Sequence, residues 1–305
     1  MQPPPLKIAY LILAHAGPQQ LARLVATLPP GSPILIHFDR RADAAVYAQA
    51  VQLLSSRDNV RFVKRHACRW AAWGIVAATL TLIDALLDLQ IDFDYATLLS
   101  GADYPIKSNR EINAFLSAHR GTEFLETFLL TAPNKWSSHG GIYKAPHKLL
   151  CRHIRFRSRV FRLPGMRKLP AGLEPYGGSQ WWTLTKTALE YIRHFVETTP
   201  QFVSFSKLSF IPDETFIQCI LASSPLKERI RSDDLRVIIW DRPSPPYPAT
   251  LMIEDLDLLL AANKLFARKF DSRLSGPVLD ALDARNSAEP GGDSASMRSI
   301  SLNST

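Results

Sequence analysis

Cysteine is scarce in this chain of 305 residues, and the three that occur, Cys68, Cys151 and Cys219, show no paired spacing. An odd and scattered set argues against a disulfide framework and against a cysteine zinc site, so we expect reduced thiols. The phosphate-binding patterns GxxxxGK and GxGxxG and the nucleophile elbow GxSxG are also absent. No motif of these kinds assigns a function.

Long hydrophobic runs are missing too. The longest apolar stretch, residues 71–87, contains Gly74, Asp84 and two threonines. It falls short of the roughly 20 apolar residues that a membrane-spanning helix requires. The amino terminus has no charged region before its short apolar run, so we do not expect a cleaved signal peptide. The expected location is the cytoplasm.

Acidic residues are absent between Glu126 and Glu174, where ten lysines and arginines lie, and this stretch supplies the net charge of +8. One interpretation is a solvated loop face. A second is docking to an anionic membrane surface through residues 135–168, where apolar side chains alternate with arginines, which would place the protein peripherally on the inner membrane face. A third is an anionic substrate. We do not expect nucleic acid as a partner.

Strands and helices alternate over the first hundred residues. Residues 6–14, 33–38, 60–64 and 95–99 read as strands, and residues 18–28 and 71–89 read as helices. This order predicts an open α/β sheet, in which ligands bind at the carboxyl ends of the strands. His15, Asp39 and the turn at residues 100–105 follow strands directly and belong to that edge.

The second half is less regular. Helices are predicted at residues 109–119, 187–197, 213–221 and 250–265, and strands at residues 122–128 and 235–240. Residues 286–305 are rich in serine and asparagine without periodicity, and we predict that they are disordered.

Two adjacent carboxylates, Asp213 and Glu214, open the predicted helix at residues 213–221. Neighbouring residues do not face one another, so the pair cannot flank one bond as the carboxylates of a glycoside hydrolase do. One of them could act as a base while the other caps the helix. A purely structural capping role is the alternative.

Metal binding has weak support. Asp92 and Asp94 form an Asp-x-Asp pattern, but they precede the strand at residues 95–99 and so lie at its amino end, away from the ligand edge. We interpret them as a solvated turn. Asp103 lies at the correct edge, yet a single carboxylate is a poor site for a hard cation.

Two further pairs could contact a ligand. Arg268 and Lys269 lie between aromatic residues and could hold an anionic group in place of a metal, or could only complement a helix dipole. The aromatic pair Trp181 and Trp182 follows two glycines. These rings could stack on sugar faces or belong to the core.

The order of the motifs along the chain is more specific than any one of them. It resembles the core-2/I-branching β-1,6-N-acetylglucosaminyltransferase family, which includes the peptide O-xylosyltransferases. LSGADYP and LFARKFD carry most of this resemblance. The matching segments are AYLILAH at 9–15, IHFDRR at 36–41, WAAWG at 70–74, LLSGADYPIKS at 98–108, FLET at 124–127, GGSQWWTL at 177–184, IPDETF at 211–216 and LFARKFD at 265–271.

The resemblance implies a GT-A-like α/β fold, an open mixed sheet with helices on both faces. It also implies an inverting glycosyltransferase that needs no metal or other cofactor and moves a sugar, N-acetylglucosamine in the first place, from a UDP-sugar to a hydroxyl of a glycan or glycolipid acceptor. A UDP-xylose-dependent transfer is one alternative. A non-catalytic protein that binds a membrane or a polyanion is another.

The resemblance also assigns residues. Residues 1–285 form one domain, with a nucleotide-binding half at 1–120 and an acceptor and catalytic half at 121–285. The expected roles are general base for Glu214, uridine contact for Asp39, diphosphate contact for Arg236, Arg268 and Lys269, and acceptor contact for Glu126 and Trp181.

Overall fold

A computed structural model describes residues 5–137, 144–156, 159–170, 172–242 and 248–288. Its strands are β1 (Ile8–Ala14), β2 (Ile34–Phe38), β3 (Val60–Phe62), β4 (Tyr95–Ser100), β5 (Asp103–Pro105), β6 (Glu123–Leu125), β7 (Phe128–Leu129), β8 (Cys151–Phe156), β9 (Arg159–Met166), β10 (Tyr176–Gly177), β11 (Trp182–Thr185), β12 (Ile230–Arg231), β13 (Arg236–Ile238) and β14 (Phe266–Arg268).

Its helices are α1 (Pro18–Thr27), α2 (Ala44–Leu54), α3 (Gly74–Asp88), α4 (Asn109–Ala118), α5 (Lys144–Leu150), α6 (Lys186–Thr198), α7 (Pro200–Ser206), α8 (Phe216–Ala222), α9 (Leu256–Ala261) and α10 (Gly276–Ala288). Short 3-10 turns occur at Pro212–Glu214, Lys227–Arg229 and Ile253–Asp255.

A seven-stranded sheet in the order β12-β6-β11-β4-β1-β2-β3 forms the centre of the fold. Strands β4, β1, β2 and β3 are parallel, whereas β11 runs antiparallel to both β4 and β6. The predicted mixed sheet is therefore present. The carboxyl ends of the four parallel strands meet at one edge.

Helices cover both faces of this sheet, as expected. In β1, Tyr10 and Ile12 pack in one hydrophobic cluster with α1 and α2, while Ala9 and Leu11 pack in a second cluster with α3. Successive side chains of a strand point to opposite faces, so a strand that is buried on both sides is apolar at every position. This explains the uninterrupted run at residues 8–14.

Local signals set several helix starts. The Asp43 carboxylate accepts hydrogen bonds from the amides of Ala45 and Val46 at the start of α2, a helix that the predicted elements do not include. Ser108 and Glu111 form a capping box at the start of α4. These caps satisfy amide groups that the first turn leaves without partners.

Some predicted elements differ from the structure. The helix predicted at 213–221 is a 3-10 turn followed by α8, and the helix predicted at 250–265 is a 3-10 turn followed by α9, which ends at Ala261. The described part of the basic stretch folds as α5 and an antiparallel hairpin of β8 and β9. Residues 138–143 and 157–158 of the stretch, with Arg157, lie outside the described residues.

The predicted carboxyl-terminal tail is only partly described. Helix α10 includes residues 286–288, and residues 289–305 lie outside the described part of the chain. In that described part, no helix combines the length and the apolar content needed to cross a bilayer.

Candidate functional site

Asp39 lies at the ligand edge of the sheet, directly after β2. Its Oδ1 accepts hydrogen bonds from the amides of Arg41 (2.9 Å) and Cys68 (3.0 Å), so the carboxylate has a fixed orientation. Its Oδ2 accepts no hydrogen bond from the described residues. Oδ2 of this largely buried carboxylate can therefore accept a hydrogen bond from a ligand. Such a bond is compatible with the uridine contact that the resemblance implies.

Asp103 anchors a second group at the same edge, in the small sheet of β13, β14 and β5. Its buried carboxylate accepts from Arg236 Nε at 3.3 Å and from Arg268 Nε at 3.2 Å, and Ser100 donates a hydroxyl hydrogen bond to it. One carboxylate thus holds two guanidinium groups, and this cluster carries a net positive charge.

Arg236, the predicted diphosphate contact, is enclosed in the protein at the start of β13. Its side chain has no exposed surface, and its guanidinium donates to Asp103, to the carbonyl of Leu98 and to the carbonyl of Asp234. Three of its five N–H groups donate to these acceptors, and the side chain as a whole is buried. In the structure Arg236 holds Asp103, and its contact with a diphosphate stays a prediction.

Arg268 and Lys269 remain accessible. Arg268 lies opposite Asp103 in the pairing of β14 with β5 and is 17% exposed. Lys269 follows it and is half-buried, and burial together with the charge of Arg268 lowers the pKa of its ammonium group. Two adjacent cations with accessible surface suit an anionic ligand group, as the sequence predicts.

Trp181, the predicted acceptor contact, is largely buried. Its side chain is only 6% exposed, and the guanidinium of Arg268 lies 4.6 Å from its ring centroid. A ring in this position offers no open face to a sugar. Its observed contact is a cation–π interaction that helps to position Arg268.

Asp213 and Glu214 lie on the 3-10 turn, not on a regular helix. Ile211, immediately before the turn, has a left-handed backbone with φ 53°, and Thr215 separates the turn from α8. The amide of Gly178 donates to the carbonyl of Glu214 at 2.9 Å. The turn is therefore attached to the segment that leads into β11.

Gly178 also brings Glu126 to this place. A Cβ atom on Gly178 would lie 1.7 Å from the carbonyl oxygen of Glu126, so only glycine allows the two backbones to come so close. The same glycine thus contacts the backbones of Glu126 and Glu214. The two glutamates that the sequence predicts as acceptor contact and base are gathered together.

The pKa values of both acids of the turn are raised toward neutral pH. Burial, followed by the negative charge of Asp213, raises the pKa of Glu214 to about 7, while Lys148 and Lys135 act in the opposite direction. Burial raises the pKa of Asp213 to about 6, and its Oδ1 is buried without a hydrogen-bond partner in the described residues. A carboxyl group with a pKa close to the working pH is suited to general-base catalysis.

Two lysines of the basic stretch belong to the site, and the sequence interpretation did not include them. Lys135 pairs with Glu126, and Lys148 Nζ lies 3.7 Å from the ring centroid of Trp136. Both lower the pKa of Glu214. The unbroken positive charge after Glu126 was the available signal, but it gave no indication that α5 would fold back toward Glu214.

The segment at residues 68–74 connects Asp39 with the turn that carries Asp213 and Glu214. The amide of Cys68 donates to Asp39, and the ring of Trp73 packs against that of Phe216 with centroids 5.2 Å apart. Burial, and then the charges of both Asp39 and Asp213, raise the pKa of the Cys68 thiol to about 12. The acid after β2 and the acid pair of the turn therefore face a common region.

Metal-ligating residues are not concentrated anywhere in the described part of the chain, where no group of three or more His, Cys, Asp or Glu side chains could hold an ion. Asp92 and Asp94 pair with Lys7 and Arg120 at the amino end of β4. Their predicted position, away from the ligand edge, is confirmed.

Comparison with known proteins agrees with this geometry. The sequence profile of the family described as Core-2/I-Branching enzyme matches residues 8–260, so the chain belongs to this family. The family consists of glycosyltransferases with a GT-A-like fold, which confirms the fold and the enzyme class that the sequence predicts.

The chain is also similar to individual relatives. It is 29% identical to xylosyltransferase 2 of Canis lupus familiaris over 300 residues (92% of this chain, 34% of the relative) and to xylosyltransferase 2 of Homo sapiens over 303 residues (93% and 34%). It is 29% identical to xylosyltransferase 1 of Rattus norvegicus over 253 residues (79% and 29%). The chain spans about a third of the length of these relatives.

Proposed function

We propose that this chain transfers a sugar from a UDP-sugar to an acceptor hydroxyl with inversion, and that Glu214 is the general base. The observation that carries the proposal is the Glu214 carboxyl, whose pKa is raised to about 7, near Glu126 and beside the ligand edge of a GT-A-like sheet. Single displacement requires one base and one stabilised leaving group, and it inverts the anomeric centre.

The proposed step moves one proton and exchanges one bond. The acceptor hydroxyl gives its proton to Glu214 while its oxygen forms a bond to the anomeric carbon. The bond from that carbon to the diphosphate oxygen breaks, and UDP leaves with the electron pair. Glu126, which pairs with Lys135, would accept a hydrogen bond from a second hydroxyl of the acceptor.

Arg268 and Lys269 would stabilise the leaving diphosphate by charge-assisted hydrogen bonds, in the role that a metal ion has in other enzymes. Asp103 and Arg236 act as positioning residues that hold Arg268. Asp39 would accept a hydrogen bond from the uridine. Metal independence is part of the proposal, and full activity in excess EDTA would support it, whereas loss of turnover would refute it.

The donor sugar is the next question. The resemblance implies N-acetylglucosamine first, whereas the relatives above are named xylosyltransferases, which favours xylose. We therefore propose UDP-xylose as the first donor to test and UDP-N-acetylglucosamine as the second. For the acceptor we propose a hydroxyl of a glycan or glycolipid.

The test measures UDP release from each UDP-sugar, with and without a panel of acceptors, by wild type and by Glu214→Gln. We expect Glu214→Gln to lower kcat by roughly 10² to 10⁴, the usual contribution of a general base. Glu197→Gln, at an exposed position of α6, is the matched control and should keep wild-type rates.

Binding of UDP, measured by thermal shift, should be the same in all three proteins. Normal turnover by Glu214→Gln would show that the base is another residue. A melting temperature that does not respond to UDP in the wild type would favour the non-catalytic alternative.

A further inference from the structure

The hairpin of β8 and β9 has an unusual distribution of side chains. Ile154 pairs with Phe161, and Phe156 pairs with Arg159. Side chains of directly opposite residues in an antiparallel pair lie on the same face, so these four share one face. Cross-strand pairing thus gathers three large apolar side chains and an arginine.

This face is turned to solvent. Ile154 and Phe161 are each 48% exposed, and Phe156 is 64% exposed. Arg152 and Arg159, both exposed, come two residues before Ile154 and Phe161 respectively. We call the surface formed by these five residues the outer face of the hairpin.

The opposite face of the hairpin contacts the rest of the protein. The ring of His153 packs 5.4 Å from that of Phe210, and Arg155 donates to the carbonyl of Trp70 at 2.7 Å. An antiparallel hairpin on a protein in water normally buries its apolar side and exposes its polar side. Here the inward face has His153, Arg155 and the half-buried Val160, while the three largest apolar side chains of the hairpin are turned outward, which indicates a partner for the outer face.

Charge identifies the chemistry of this partner. The segment between Glu126 and Glu174 has ten lysines and arginines and no acid. No carboxylate of this segment can therefore neutralise the arginines of the outer face. A nucleic acid or an acidic protein would satisfy the arginines but would give the Ile154–Phe161 pair no apolar medium to enter. An anionic bilayer supplies phosphates at the depth of the arginines and hydrocarbon below them.

We propose that the outer face docks on an anionic lipid bilayer. Phe156, Phe161 and Ile154 enter the boundary between headgroups and acyl chains, and Arg152 and Arg159 bind lipid phosphates. Helix α5 continues directly into β8 and carries Lys148, whose charge acts on Glu214. If the proposed function holds, docking places the base beside the membrane, where a lipid-linked acceptor would lie. The docking itself does not depend on that function.

The test is flotation of the full chain with vesicles of phosphatidylcholine and phosphatidylglycerol at low salt, compared with vesicles of phosphatidylcholine alone. Ile154→Ser with Phe161→Ser removes the apolar pair, and Arg152→Gln with Arg159→Gln removes two charges. The matched controls are Leu53→Ser with Leu258→Ser, apolar positions that are 44% and 49% exposed, and Arg61→Gln with Lys227→Gln, two exposed cations elsewhere. All proteins are checked for an unchanged UDP response or melting temperature.

We expect the wild type to float with the anionic vesicles only and to be released by salt. The arginine pair should weaken partitioning about 30-fold, at about fivefold for each charge near the surface. The apolar pair should weaken it at least about 10-fold, since about 25 cal/mol is lost for each Å² of apolar surface that stays in water, and the controls should not.

Two outcomes would overturn the proposal. One is an absence of flotation by a folded wild type. The other is binding to heparin or DNA, with or without flotation, that depends on the arginines and is unchanged in Ile154→Ser with Phe161→Ser, because a polyanion site needs no apolar insertion. If the double apolar variant does not fold, Phe156→Ser, a single change at the most exposed apolar side chain of the outer face, gives the same comparison.

Discussion

Glu214→Gln should make the protein more stable at alkaline pH while it removes activity. Glutamine has almost the shape of glutamate but carries no charge, so the substitution isolates the cost of keeping a carboxylate in this site. Burial and the neighbouring Asp213 raise the pKa of Glu214 from 4.5 to about 7. At about 1.4 kcal/mol for each pKa unit, the charged form costs the folded state about 3 kcal/mol.

The sign of the pH dependence follows from the raised pKa. The folded protein holds the Glu214 proton more tightly than the unfolded chain does, so the wild type loses stability as the pH rises from 4.5 through 7. Above pH 7 the full cost is present, and at pH 5 only about 1 kcal/mol of it is left. The advantage of Glu214→Gln should therefore be largest at pH 8.

The assay is urea and thermal unfolding of both proteins at pH 8 and pH 5. For a chain of this length, about 3 kcal/mol corresponds to a melting temperature that is higher by roughly 5 °C at pH 8, with a difference of 1 to 2 °C at pH 5. Glu197→Gln, on the exposed surface of α6, should match the wild type at both pH values. An equal shift at pH 5 and pH 8, or a less stable Glu214→Gln at pH 8, would refute a desolvated Glu214.

Three further predictions follow from the site. The kcat/KM of the wild type should fall on the acid side with a pKa of about 7, to about a tenth at pH 6, because the base must be deprotonated; a rate independent of pH between 6 and 8 would exclude Glu214 as the base. Gly178→Ala should lower stability by at least about 1–3 kcal/mol and reduce activity, because its Cβ would meet the carbonyl of Glu126, whereas Gly31→Ala, with open space around it, should have little effect in the same unfolding assay. Arg236→Met should lower the free energy of unfolding by about 3–5 kcal/mol, because the buried negative charge of Asp103 then loses one of its two positive partners. The control Arg273→Met, which breaks an exposed ion pair with Asp271, should leave the urea midpoint unchanged.

The four parallel strands and two of the helices beside them could be predicted from residue pattern alone, whereas α2 was not among the predicted elements. Strands at 8–14 and 34–38 are apolar at every position because both faces of the sheet are covered, and the spacing between them fits one helix. The same topology correctly placed Asp39 and Asp103 at the ligand edge and Asp92 and Asp94 away from it. Periodicity and strand ends are local properties, and they are visible in a sequence.

Elements with few local contacts of their own were harder to predict. The turn at Pro212–Glu214 reads as the first turn of a helix, but attachment to Gly178 and the left-handed Ile211 separate it from α8. The sheet of β13, β14 and β5 joins strands of three residues from distant parts of the chain. Of these, β13 lies within the strand predicted at residues 235–240, whereas β5 and β14 were not predicted, because three residues are too few to show an alternating pattern.

The sequence by itself determined the family, the α/β architecture and the identity of the acid that acts as the proposed base. Only the tertiary structure decided which charged residues are accessible. Arg236 and Arg268 look equivalent as residues, yet one is enclosed behind Asp103 and the other keeps exposed surface. The tertiary structure also set the pKa of Glu214. Burial of its carboxyl group and the nearby charges of Lys135 and Lys148 arise only when distant segments meet in the folded chain.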